Sequence, residues 1–177
     1  MKKNSLILNA KKTDYFMKRF FAKEKKTLLL SVMKYGTLSG GKKIRSSIIL
    51  NTGKLFNLKS EKLLNICAAV ECIHSYSLIH DDLPCMDNDK IRRGKPTAHI
   101  KFGESTAVLA GNSLLTLAFE MITTNSYKIN DSSKVELVKE LAKCSGHNGI
   151  AGGQELDLRF ENKNKSFNEI INMQKKK

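Results

Sequence analysis

No stretch of the sequence approaches the roughly 18 to 20 uninterrupted apolar residues of a membrane span. The opening MKKNSLILNAKKTDYF holds too short an apolar patch for a secretory signal. Both absences count against a membrane protein and set the expectation of a soluble, cytoplasmic one. The four cysteines, Cys67, Cys72, Cys85 and Cys144, make no CxxC pair. Cys67 and Cys72 fall inside an apolar pattern, so they read as small core residues and no disulfide framework is expected. No convincing strand pattern, internal repeat or Pro/Gly/Ser-rich linker is visible. With 177 residues, 41% of them hydrophobic, the chain is long enough for one domain, 1–177, and too apolar for disorder.

Acidic residues are also scarce: 17 stand against 31 Lys and Arg, a formal net charge of +14. Such an excess attracts nucleic acid, an anionic membrane surface or a phosphorylated small molecule. Most of it is lysine spread along the chain, which reads as a solvated coat. Arginine is rare, and three of the five, Arg45, Arg92 and Arg93, stand beside candidate chemistry. A helix-turn-helix signature, aromatic interleaving and an arginine-rich stripe are all missing, so a basic nucleic-acid-binding protein is the remote alternative.

What is present reads as helix after helix, an all-α fold. One apolar stripe, through Phe16, Phe20, Phe21 and Leu28 to Leu30, predicts a helix from about Thr13 to Lys34 that YGTLSGG breaks. A second helix is expected over Lys42 to Phe56. A third, N-capped by Ser60, runs through Leu63, Leu64, Cys67, Val70 and Ile73 toward Asp82. Ser105 is expected to open another through Met121. Ser133 with Glu136, and Ser166 with Glu169, fit capping-box spacing.

The chemistry concentrates in SLIHDDLPCMDNDKIRRGKP, Ser77 to Pro96. Pro84 lacks an amide hydrogen and restricts Leu83, so the third helix should end near Asp82. Asp81 and Asp82 then sit at the negative pole of the helix dipole, where carboxylates are unfavourable and a positive partner is required. The break at Pro84 allows Asp87 to fold back toward them. Carboxylates with open positions suit Mg2+, which binds through one or two of them plus phosphates and water. In GGKKIR, a Gly-Gly turn precedes Lys42 and Arg45, which share a helix face near an N-terminus whose amides attract anions, a plausible phosphate site without Walker spacing. His74 lies two helical turns before Asp81. Arg92 and Arg93 offer guanidinium forks that match phosphate oxygens.

GGKKIR, SYSLIHDDLPCMDNDKIRRGKPTAH, KFGESTAVLAGNSLLTLAFE and AGGQELDL, in that order and spacing, resemble the short-chain trans-polyprenyl diphosphate synthases, the bacterial farnesyl diphosphate synthase group above all. The resemblance implies an isoprenoid synthase-type helical bundle, a homodimer, and Mg2+-dependent condensation of isopentenyl diphosphate with dimethylallyl or geranyl diphosphate. By motif match, Asp81, Asp82 and Asp87 form the first aspartate-rich motif and hold Mg2+. Arg92 contacts the allylic diphosphate. Lys42, Arg45, His74 and Arg93 bind isopentenyl diphosphate, and Gln154 with Asp157 face the allylic site. Tyr76 matches an aromatic floor that limits product length. Lys43 and Ser46 stand where the family more often has arginine and proline. Family members continue into a Lys-Thr segment and a second aspartate-rich motif, whereas this chain ends at NMQKKK, so C-terminal truncation is expected. A non-catalytic diphosphate-binding or partner subunit is the alternative.

Overall fold

The helices that spacing predicted form with shifted ends, and helix also covers 3–12, 98–102 and 150–160, which spacing had left unassigned. The computed structural model describes residues 3–124 and 129–177. It is all-α apart from one two-stranded ribbon, and its contacts group into two compact units, Met1–Ile129 and Asn130–Lys177.

In the first unit the stripe expected to form one helix is cut in two, α1 (Lys3–Lys23) and α2 (Leu28–Leu38). The break has a local cause. Thr27 adopts extended φ/ψ and its hydroxyl accepts the Leu30 amide at 3.0 Å, a helix N-cap inside the apolar pattern. α3 spans Ile44–Leu55 and α4 spans Ser60–Asp81. Lys59, not Ser60, takes the N-cap position of α4. As Pro84 required, Asp82 is its C-cap.

α4 is buried on several sides, with Cys67, Ala68, Ala69 and Cys72 fully enclosed, as befits a central helix. Burial pushes both thiols up to about 12, so they are inert packing groups. α6 (Glu104–Thr123), capped by Gly103 rather than Ser105, lies against α4. Ala107, Ala110 and Ala118 are fully buried, and a Cβ on Gly111 would come within 2.1 Å of His80 Nε2. Small residues therefore set the spacing of the two helices. Among the described residues α6 is the one helix long and apolar enough to cross a membrane. Here Leu114, Leu117, Met121 and Ile122 are buried inside the unit, as in a core helix. α3 packs on α4, and α1 and α2 complete the bundle around Met17, Phe21 and Val32.

Between α4 and α6, Ile91–Arg92 (β1) pairs antiparallel with Lys95–Pro96 (β2), followed by the short α5 (Ala98–Phe102). The linking residues Arg93 (φ 53) and Gly94 (φ 74) both take positive φ, the signature of a two-residue hairpin turn. No strand was legible here because the ribbon is two residues deep.

The second unit holds α7 (Asp131–Ser145), α8 (Ile150–Phe160) and α9 (Phe167–Lys176). Asn130, not Ser133, caps α7: its side chain accepts the Ser133 amide at 2.7 Å, which places Ser133 inside the first turn. The Ser166–Glu169 capping box forms as its spacing requires. α9 lies close on α8 at Gly153, where a Cβ would come within 2.7 Å of the Lys177 amide nitrogen.

Candidate functional site

The Gly-Gly turn builds the first half of the site. Gly40 and Gly41 both take positive φ, and Lys43, at φ 47 and ψ 47, closes the turn as N-cap of α3. A cavity of about 560 Å³ opens there, lined by Lys42, Lys43, Arg45, Glu71, His74 and Arg93 among others. Four residues expected to bind one diphosphate, Lys42, Arg45, His74 and Arg93, thus converge from the Gly-Gly turn, α3, α4 and the hairpin; Lys42 precedes α3 and does not share a helix face with Arg45, because the left-handed Lys43 delays the helix start. Lys42, Arg45 and Arg93 are exposed cations, and His74 is half-buried. Burial, then Arg45, with smaller pushes from Arg93 and Lys43, drives the His74 imidazole down to about 4 against the pull of Glu71. His74 is therefore a neutral hydrogen-bonding group at neutral pH.

Glu71 is almost fully enclosed and governs the floor of this cavity. Its Oε1 accepts the Ser46 hydroxyl at 2.8 Å and the Ser46 amide at 3.3 Å. Its Oε2 lies 3.5 Å from Lys43 Nζ, which also donates to the Thr37 carbonyl at 2.8 Å. Lys43 keeps its charge, but that charge is buried and already paired. An amide at the α3 N-terminus is likewise taken by Glu71, so exposed side chains carry most of the site's anion-binding capacity, with less from the helix end than the sequence implied.

The second half lies at the C-terminus of α4. The chain folds back after Pro84, and the Asp87 amide donates to the Asp81 carbonyl at 2.9 Å. Asp82 is buried and Asp87 exposed. The positive partner that the helix dipole demands is Arg92: its Nε and Nη2 donate to Asp82 Oδ1 at 2.7 and 2.6 Å, and Nη2 lies 3.4 Å from Asp89 Oδ2. Burial pushes the Asp82 carboxyl up and the Arg92 hydrogen bonds pull it back. The hairpin separates the two adjacent arginines. Arg92 turns to the carboxylates, while Arg93 Nη1 donates to the Gly40 carbonyl beside the basic cavity. A Cβ on Gly41 would sit 2.7 Å from Arg93 Nη1, so the turn needs glycine for both its φ of 114 and this approach.

The donor set suits a hard cation. It is all carboxylate, and buried Asp82 already holds a positive charge. Among the described residues no three His, Cys, Asp or Glu side chains converge into a ready-made metal cluster. Asp81, Asp82 and Asp87, expected to hold Mg2+ together, are therefore not gathered into one ligand set among these residues. Tyr76 is buried and edge-on to His80, ring centroids 5.7 Å apart, and burial raises its phenol. In the second unit, Gln154 is buried and, among the described residues, neither of its side-chain amide atoms has a hydrogen-bond partner, and the Asp157 carboxylate pairs with Lys177 Nζ.

Comparison with known proteins decides the family. Residues 26–177 match the polyprenyl synthetase family. The chain belongs to the polyprenyl synthetases. It is 49% identical over 154 residues to a farnesyl diphosphate synthase of Buchnera aphidicola from Acyrthosiphon pisum, covering 85% of this chain and 54% of that protein. It is 48% identical over 138 residues to that of Escherichia coli K12, covering 77% and 46%. A solved geranyltransferase structure from Legionella pneumophila superposes with TM-score 0.91 at 32% identity, over 97% of this chain and 61% of that one. An FPP/GFPP synthase from Zymomonas mobilis gives 0.89 at 38%, over 97% and 63%. The chain thus spans about half the length of the curated relatives it matches. Two residues that the motif reading passed over, Glu71 and Asp89, touch the candidate groups: Glu71 lines the basic cavity and Asp89 lies beside Arg92. A carboxylate inside an apolar helix three residues before His74 was the available signal for Glu71. Asp89 carried none, because its contact depends on the hairpin.

Proposed function

We propose that this chain is a Mg2+-dependent prenyltransferase that condenses isopentenyl diphosphate with dimethylallyl or geranyl diphosphate to give farnesyl diphosphate. The observation that carries this reading is the convergence of Lys42, Arg45, His74 and Arg93 on one cavity, with a separate carboxylate group one hairpin away. Two anionic substrates need two such places. The exposed cations would hold isopentenyl diphosphate by charge-assisted hydrogen bonds, and neutral His74 would donate a further one. Asp81, Asp82 and Asp87 would hold Mg2+, which when bound neutralises charge on the departing diphosphate. Arg92 would bind that same diphosphate, and an apolar cavity floored by Tyr76 would shelter the allylic cation from water. By the same motif match Gln154 and Asp157 would face the allylic site.

A single all-α domain over 1–177, a homodimer and a cytoplasmic location belong to the same reading. It is tested by incubating the chain with labelled isopentenyl and geranyl diphosphates, with and without Mg2+, and by titrating isopentenyl diphosphate calorimetrically. Saturable binding of isopentenyl diphosphate that is lost in Arg45→Gln and Arg93→Gln supports the assignment. Binding indifferent to both substitutions would remove it.

A further inference from the structure

Arg92 is shared unequally between two carboxylates. Asp82, whose side chain is 4% exposed, takes both short hydrogen bonds on one oxygen, Oδ1. Asp89, 53% exposed, lies 3.4 Å from the same Nη2. Asp89 is itself tied down: its carbonyl accepts the Thr97 hydroxyl at 2.8 Å, and the Thr97 amide donates to the Lys90 carbonyl at 3.0 Å. Thr97 is 2% exposed, so the loop that carries Asp89 is anchored to the start of α5.

A buried carboxylate must keep a positive partner. The fork covers Oδ1 of a carboxylate that is almost wholly buried, so a divalent ion on the same group meets the guanidinium charge at close range with little water between them, and the two compete for Asp82. We infer that Arg92 is the resident counter-cation of Asp82, and that Asp89 is a positioning residue which retains its guanidinium when Asp82 turns to a divalent ion. Asp89 then keeps the fork at the mouth of the loop, where a diphosphate meets it. Cation and diphosphate affinities are thereby coupled, each raising the other. The inference rests on the carboxylate assignment made under the proposed function.

The test uses the 177-residue chain, Mn2+ as a paramagnetic probe and inorganic pyrophosphate, with free Mn2+ read by electron paramagnetic resonance. Wild type is expected to bind Mn2+ weakly alone and about tenfold or more tightly with pyrophosphate. Arg92→Lys keeps the charge but loses the fork, and should tighten binding of Mn2+ alone about three- to tenfold. Should that variant fail to fold by circular dichroism, Arg92→Gln carries the same expectation. Asp89→Asn, at an exposed position, should leave Mn2+ alone within about threefold while cutting the coupling about three- to tenfold. Unchanged Mn2+ affinity in the Arg92 variant, or full coupling in Asp89→Asn, overturns the exchange even where wild-type coupling stands. A wild type that binds no Mn2+ at any pyrophosphate concentration overturns the carboxylate assignment, and the exchange with it.

Discussion

Arg45 and His74 show how one cavity uses a charged and an uncharged donor side by side. Hydrogen bonds to charged groups contribute about 1.5 to 3 kcal/mol, so Arg45→Gln is expected to weaken pyrophosphate binding about tenfold or more by calorimetry. His74 should titrate near 4 in NMR spectra of the free protein and move upward when pyrophosphate is added. An unfolded histidine takes its proton at about 6.5, so the unfolded chain binds more protons than the folded one between there and about 4. Stability therefore falls as the pH drops through that window, and His74→Gln should flatten that limb of urea midpoints. Arg45, His74 and Arg93 were legible because each is a scarce residue type in a spaced motif, and Lys42, one lysine among many, only because it follows the Gly-Gly pair. The role of Lys43 was not: adjacent to Lys42 in sequence, it is separated from it only by a left-handed backbone that turns its ammonium inward to Glu71.

At the scale of elements, spacing gave most of the helices and missed their ends. Phe16 through Leu30 reads as one stripe because a break of four residues, Glu24 to Thr27, preserves the apolar phase on both sides. Cap choice was equally undecidable where Asn130 and Ser133 compete, since both side chains are good caps and only backbone geometry chooses. Ser166 had no such rival. Hydrogen bonds from the Ser166 amide and hydroxyl, with help from Lys165, bring Glu169 down to about 2 from 4.5. This α9 box therefore stabilises fully above about 4.5 and is lost as the pH falls toward 2. Ser166→Ala should remove that dependence from the helix signal in circular dichroism. In the Gly-Gly turn, Gly41→Ala forces a Cβ onto a φ of 114 and against Arg93. It should cost at least about 1 kcal/mol in stability and lower pyrophosphate affinity together.

Across the whole molecule, a net charge of +14 has meaning only at the few places where the fold gathers it. Most lysines coat the surface, whereas the cavity selects Lys42, Arg45 and Arg93 and spends Lys43 internally. Core volume is the other global quantity. Tyr76 is 9% exposed, so Tyr76→Ala should cost about 3 kcal/mol in chemical unfolding. In the prenyltransferase reading it should also lengthen products on chromatography of the dephosphorylated alcohols. The Arg93-Gly94 turn, finally, is a ruler. A two-residue turn has no slack, so the register Ile91 to Pro96 and Arg92 to Lys95 fixes how far the anion cavity stands from the aspartate loop. One extra glycine beside Gly94 would shift Arg93 while Arg92 stayed on its strand. Each ligand would still find its own place, but the two would be held out of step, and a reaction that needs both at once would fail with its separate bindings intact.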